Sequence, residues 1–260
     1  MIKAGVLGSP ISHSLSPLLH RAAYAQLGIA GEYQAYEVKS GELESFLHAR
    51  LSENFTGFSL TMPLKEEVLS YVPDVDPMAR EIASANTVIN IDGKWRASST
   101  DYLAFQRLLS DINFSRVAII GGGGTARAAM GALRDRVDHV DVLLRSPERI
   151  SALQIAGAGI SVEALSMEAV LDSYDLVIST VPAGVISESQ AAKVQPSGVL
   201  IDVLYHPWPT PLASRWINAG STVISGRDLL VEQALDQISL MTGQVFDYDL
   251  MRKVLFTALL

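Results

Sequence analysis

Three stretches place residues where their types and spacing can do chemistry. In "VAIIGGGGTARAA", Gly121, Gly123 and Ala126 stand in a G-x-G-x-x-A pattern, directly after an apolar strand-like run and at the head of a helical one. Gly121 permits a tight turn there, Gly123 lets backbone N–H groups approach a diphosphate, and the small Ala126 lets helix and strand pack closely. The chemistry is dinucleotide binding. The next strand-like run, "VDVLLRSPERI", ends in Arg145, with Arg149 one helical turn later, and Asp141 lies inside the run rather than at its end. A guanidinium in place of the usual ribose-binding acid suits a 2′-phosphate, which favours NADP over NAD. In "GSPISHSLSP", Ser14 and Ser16 precede a helix whose N-terminus favours anions, so hydroxyls and backbone donors together can receive a carboxylate; Ser16 is also explained as the N-cap of that helix, with Pro17 in its first turn and Gly28 at its end. In "GFSLTMPLKEEV" a buried strand stops at Pro63 and presents Lys65 two residues later. Taken residue by residue, Lys65 also reads as a snorkelling lysine at a helix start, Asp101 as the N-cap of "YLAFQRLL", and Thr61 and Asn86 as turn residues.

These residues need elements to hold them. In residues 1 to about 100, runs such as "AGVLG", "TGFSL" and "NTVIN" alternate with helical patterns such as "SPLLHRAAYAQLG", which implies an α/β sheet. Asp92-Gly93, between "INI" and "KWRA", predicts a tight hairpin and makes that sheet mixed. From Arg116 the rhythm is strand, glycine turn, helix, strand, through "RVAII", "HVDVLLR", "YDLVIST", "GVLIDVLY" and "STVISG", the pattern of a doubly wound parallel sheet. A last helical region, "DLLVEQALDQISLMTG" and "YDLMRKVLFTALL", has no strand after it and is expected to fold back on the first half, while the helix "DYLAFQRLL" forms the junction. The expected fold is therefore α/β with two domains, residues 1–101 plus 233–260 and residues 102–232, the second Rossmann-like.

Composition narrows the function. With 260 residues, 48% hydrophobic and 18% charged, the chain can bury a core of enzyme size. Its formal net charge of -8 supplies no general field for a nucleic-acid backbone or an anionic lipid surface. The absence of cysteine rules out disulfides and thiolate metal sites and suits a reducing compartment. The start "MIKAGVLGSP" is too short in apolar residues for a signal-peptide core, and no run approaches the ~18 apolar residues of a membrane span, so a soluble cytoplasmic protein is expected. His13, His20, His48, His139 and His206 form no close ligand pair and no acid cluster has metal spacing, so no metal is expected.

The order of motifs resembles the shikimate dehydrogenase family over essentially the whole chain: "GSPISHSLSPLLH", "TMPLK", "SANTV", "STD", "GGGGTARAA", "DVLYHPWPTPL" and "GRDLLVEQA". The resemblance implies a two-domain enzyme that interconverts 3-dehydroshikimate and shikimate with NADPH, its small-molecule substrate lying between the domains, as a monomer or homodimer. It implies that Lys65 and Asp101 are the catalytic pair and that Ser14, Ser16 and Tyr205 bind the substrate carboxylate. Thr61, Asn86 and Gln233 match positions that touch the ring or its hydroxyls. Gly121, Gly123, Gly124, Thr125, Ala126, Arg145, Ser146, Arg149 and Gly226 match the cofactor side.

Several positions depart from the family pattern. Ser59 and Leu60 stand for the usual asparagine and valine before "TMPLK", and the motif G-x-N-T-D-G-x-G reads Ala97-Ser98-Ser99-Thr100-Asp101-Tyr102-Leu103-Ala104. Lost glycines stiffen the backbone beside Asp101, and Ser99 cannot make the paired amide contacts of asparagine. The usual Asn-Arg-Thr near the adenine ribose is Leu144-Arg145-Ser146, which keeps the charge and loses one polar side chain. Two alternatives follow: a relative acting on quinate or using NAD, and a non-catalytic ligand-binding member, against which the retention of Lys65 and Asp101 counts.

Overall fold

The apolar runs form two separate six-stranded sheets in the computed structural model, which describes residues 1–260. The chain divides into two units, Met1–Ala104 with Leu230–Leu260, and Phe105–Leu229. It passes from one to the other inside two helices, between Ala104 and Phe105 and between Leu229 and Leu230, each three residues from the expected boundaries beside Asp101 and Gln233.

The first unit holds β1 (Ile2–Gly8), β2 (Gly31–Glu37), β3 (Gly57–Leu60), β4 (Asp74–Val75), β5 (Thr87–Ile91) and β6 (Lys94–Ser98), in the order β2-β1-β3-β5-β6-β4. β1 pairs parallel with β2 and β3, whereas β3–β5 and β5–β6 are antiparallel, so the sheet is mixed as expected. Asp92 and Gly93 turn the β5–β6 hairpin with φ of 49° and 79°, the left-handed pair that a two-residue connection needs. Around the sheet lie α1 (Ser16–Leu27), α2 (Leu43–Leu51), α3 (Leu64–Glu67) and α4 (Pro77–Glu81). One core centres on fully buried Phe58, whose ring lies 4.9 Å from Phe55, 5.4 Å from Phe46 and 5.6 Å from Trp95. Burial of each such side chain stabilises by roughly 1.5–3 kcal/mol, which fixes the strand that leads to Lys65.

The second unit holds β7 (Val117–Ile120), β8 (His139–Leu144), β9 (Ser161–Ser166), β10 (Leu176–Ser179), β11 (Val199–Asp202) and β12 (Thr222–Ser225), all parallel in the order β12-β11-β10-β7-β8-β9. This is the dinucleotide-binding order, with its switch point between β7 and β10. β7 and β10 are buried throughout, which explains their unbroken apolar sequence. The edge strand β9 is mostly exposed and carries no such run, so the sequence did not announce it. The remaining helices are α5 (Thr100–Leu109), α6 (Gly124–Ala132), α7 (Ile150–Ala156), α8 (Glu188–Ala191), α9 (Pro211–Asn218), α10 (Gly226–Thr242) and α11 (Tyr248–Ala258).

The carboxyl-terminal helices return to the first unit as expected. Val231, Ala234, Leu235 and Ile238 of α10 and Met251 and Leu255 of α11 bury against Leu19 and Ala23 of α1. One helix-start expectation is corrected. Ser16 is the first residue of α1 rather than its cap; Leu15 holds the cap position without a side-chain bond, and Ser14 Oγ instead accepts from the Ser16 N–H at 3.3 Å.

Candidate active site

Lys65 sits on the one-turn helix α3, reached from β3 through Thr61, Met62 and Pro63. The Leu64 N–H donates to the Thr61 carbonyl at 2.8 Å, the Leu64 side chain is fully buried, and the Lys65 carbonyl accepts from the Ala85 N–H at 2.9 Å. The backbone on both sides of the lysine is thus tied to the core. Its Nζ donates to Asp101 Oδ2 at 2.6 Å, with side-chain exposures of 17% and 6%. Asp101 lies in the first turn of α5, and its other oxygen accepts from Asn86 Nδ2 at 2.9 Å. A carboxylate this buried needs both partners to offset its lost hydration. The alternative of Asp101 as a helix cap is displaced: its carboxylate faces Lys65 and Asn86.

Asn86 is the hub. Its Oδ1 accepts from the Thr100 N–H at 2.7 Å, which fixes the amide orientation, and its Nδ2 also reaches Thr100 Oγ1 at 2.9 Å and Gln233 Oε1 at 3.3 Å. Four of the expected site residues, Lys65, Asp101, Asn86 and Gln233, are therefore in one hydrogen-bonded group. Thr61 begins the turn that carries Lys65, and Ser14 and Ser16 form their own pair at the start of α1.

Behind this group is a buried polar layer that sequence reasoning missed. Tyr33 Oη donates to Ser59 Oγ at 2.6 Å, Ser59 Oγ donates to Gln237 Oε1 at 2.6 Å, and Gln237 Nε2 donates to the Asn86 carbonyl at 3.3 Å and to Thr87 Oγ1 at 3.1 Å. His20, with no exposed surface, stacks on Tyr33 at 3.9 Å between ring centroids. Burial lowers its pKa to about 3 against the opposing hydrogen bond with Gln237. The only hint in sequence was the placement of Gln237 four residues after Gln233 on one helical face. Two departures find their use here: Ser59 joins this layer, and Ser99 Oγ accepts from the Tyr102 N–H at 3.4 Å at the start of α5.

The second unit carries the glycine-rich turn. Gly121 has φ of +112°, and a Cβ there would lie 2.4 Å from Thr180 Oγ1, so only glycine fits. Gly123 precedes α6 in extended backbone, and a Cβ on it would meet nothing within 4 Å, so the space beside it at the head of α6 is open. Ala126 is fully buried. The amides at the head of α6 and the open space fit a dinucleotide diphosphate. Arg145 and Arg149 are exposed, with partly exposed Ser146 between them, just past the end of β8, where the 2′-phosphate contact was expected.

Tyr205 follows β11 and is partly exposed. Its segment is anchored by Asp202, whose carboxylate accepts from Thr210 Oγ1 at 2.6 Å and from the Leu204 N–H at 3.2 Å; burial raises the Asp202 pKa despite both bonds. Gly226 starts α10 with its amide on the Leu204 carbonyl, and a Cβ would lie 2.2 Å from the Val203 carbonyl oxygen, so a packing requirement accounts for this glycine. An open pocket lined by Ser179, Val181, Asp202, Leu204, Pro207 and Thr210 lies at the carboxyl ends of β10 and β11, the side of a doubly wound sheet on which ligands bind.

Residues 6–88 match the family described as "Shikimate dehydrogenase substrate binding domain". The shikimate dehydrogenase (NADP(+)) of Bacillus thuringiensis is 30% identical over 270 residues, 98% of each chain. The chain belongs to the shikimate dehydrogenase family. Among solved structures, the Mycobacterium tuberculosis shikimate dehydrogenase superposes with a TM-score of 0.87 at 34% identity, covering 99% of each chain. The Thermus thermophilus enzyme, solved with NADP(H) and shikimate, gives 0.86 at 29% identity, covering 99% of this chain and 100% of that one. The shikimate dehydrogenase likeness thus spans both units, while the family description covers only part of the first.

The spacing of histidines and acids along the sequence did not bring together His139, Asp141 and Glu163, whose potential ligating atoms lie within 4.8 Å of one another. The signal is period two along a strand, joined to a neighbouring strand that the sequence did not reveal. No helix is long and apolar enough to cross a membrane.

Proposed function

We propose that this chain is an NADP-dependent shikimate dehydrogenase that reduces 3-dehydroshikimate reversibly to shikimate, in aromatic amino acid biosynthesis. The observation that carries the reading is the 2.6 Å contact of Lys65 Nζ with Asp101, itself held by Asn86. NADPH, when bound, supplies the hydride to the substrate's carbonyl carbon. As the C–H bond forms, negative charge gathers on the ketone oxygen. Lys65 stabilises that charge and delivers the proton that makes the alcohol, and in the oxidative direction it removes the same proton; a positioned acid of this kind contributes about 10²–10⁴-fold. Asp101 orients the amine, and Asn86 keeps the carboxylate from rotating away.

Ser14 and Ser16 take the substrate carboxylate with the first amides of α1. Thr61, Asn86, Gln233 and Tyr205 contact the substrate. The amides of Gly124 and Thr125 hold the diphosphate, and Arg145, with Ser146 and Arg149, takes the 2′-phosphate. A cytoplasmic location fits the cysteine-free composition.

The test is an assay of the purified chain with shikimate and with quinate, each with NADP⁺ and with NAD⁺, compared as kcat/KM. Shikimate with NADP⁺ is expected to be the best pair. A higher value for quinate or NAD⁺ transfers the assignment to that substrate or cofactor, and no turnover with any pair overturns the enzymatic reading.

A further inference from the structure

We propose that His139, Asp141 and Glu163 form a binding site for a first-row divalent transition ion, Zn²⁺ in preference to Mg²⁺ or Ca²⁺, at the edge of the parallel sheet. His139 and Asp141 are two residues apart on β8 and so project from the same face. β9 pairs with β8 so that Asp141 lies opposite Glu163. One imidazole nitrogen and two carboxylate oxygens consequently converge within 4.8 Å, His139 Nε2 already lying 2.9 Å from Asp141 Oδ1. Donors bound to one ion at about 2.0–2.2 Å stand up to about 4.4 Å apart. Small rotations of the exposed Glu163 and half-exposed His139 close the set, and solvent completes the coordination.

A buried partner prepares the central ligand. Tyr174, only 3% exposed, donates its hydroxyl to Asp141 Oδ2 at 2.6 Å and leaves Oδ1 for the ion. Burial alone would raise the Asp141 pKa, but the hydrogen bonds from Tyr174 and His139, with Arg116 nearby, hold it below its usual value. A carboxylate held by a second residue in this way is the arrangement that orients metal ligands. The Arg116 guanidinium lies 4.5 Å from the Tyr174 ring centroid and opposes any ion held by charge alone. Selection therefore falls to the coordinate bond from imidazole, which favours transition ions over hard cations that prefer oxygen.

Such an ion would tie the exposed edge strand β9 to β8. His139 begins β8, whereas the nucleotide turn lies beyond its far end, roughly 16 Å away at strand rise. Binding and catalysis are therefore separate readouts.

The experiment uses the untagged full chain, titrated with zinc chloride by calorimetry and followed by thermal unfolding, beside His139→Ala and Glu163→Gln. One Zn²⁺ per chain and a raised midpoint are expected for the parent protein. Each variant is expected to bind at least about tenfold more weakly and to show no zinc-dependent rise above its own metal-free midpoint. Absence of one-equivalent binding in the parent overturns the proposal. So does undiminished binding in both variants, which would place the ion at other histidines. Equal binding of Mg²⁺ does the same, since it would make the cluster a plain acidic patch.

Discussion

Ser59 and Gln237, 178 positions apart, share a 2.6 Å hydrogen bond that joins the end of β3 to the middle of α10 beneath Asn86. Gln237 spends its whole amide on buried partners: its oxygen accepts from Ser59, and its nitrogen donates to the Asn86 carbonyl and Thr87 Oγ1. Replacing it by leucine keeps the volume and strands those partners, each at about 1–3 kcal/mol. Gln237→Leu is expected to unfold at clearly lower denaturant and to lower kcat, because Asn86 loses the support behind its contact with Asp101. A variant as stable and as active as the parent would show that this layer does not position the site.

How much of this could be read in advance depends on range. The Gly121–Ala126 turn and the Asp92-Gly93 hairpin were legible because backbone conformation selects glycine and its neighbours locally. Val117–Ile120 was legible because a strand covered on both faces needs apolar residues throughout. Ser59, Gln237 and His20 were not, since each is polar and buried, and its partners come from segments distant in sequence. β9 and its Glu163 were hidden for the opposite reason: an exposed edge strand has no apolar pattern to display.

Lys65→Ala should reduce kcat by about 10²–10⁴-fold while shikimate and NADP⁺ still bind within severalfold, measured by single-turnover kinetics and equilibrium titration. The amine is proposed to act on charge that exists only as the reaction proceeds, so its loss should leave ground-state binding nearly intact. Equal loss of affinity and turnover would assign Lys65 to structure instead.

Arg145→Ala separates phosphate recognition from general cofactor binding. The guanidinium is exposed past β8, and its proposed partner, the 2′-phosphate, is present in NADP and absent from NAD. KM for NADP⁺ should rise by at least about tenfold, the scale of one lost charge-assisted hydrogen bond, while KM for NAD⁺ changes little. Parallel losses for both cofactors would remove Arg145 from the phosphate site.

His20 predicts how the fold responds to acid. The Gln237 amide is oriented by the Asn86 carbonyl, so its oxygen faces His20 Nε2 at 3.4 Å, and Tyr24 Oη lies 3.4 Å from Nδ1. One neutral tautomer satisfies both contacts: Nε2 donates to Gln237, and Nδ1 accepts from Tyr24. Burial pushes both Tyr24 and Tyr33 above the usual phenol range, so neither supplies a negative charge to a protonated ring. The folded pKa, about 3, lies below the ordinary 6.5, so the unfolded chain takes up this proton first as pH falls. The contribution is fully present above 6.5 and is lost progressively towards 3, at up to about 1.4 kcal/mol per pH unit. Unfolding free energies across this window should therefore fall more steeply for the parent than for His20→Gln, because glutamine cannot titrate and the carboxylates common to both proteins cancel in the difference. Identical pH slopes would mean that protonation of His20 is not what destabilises the fold in acid.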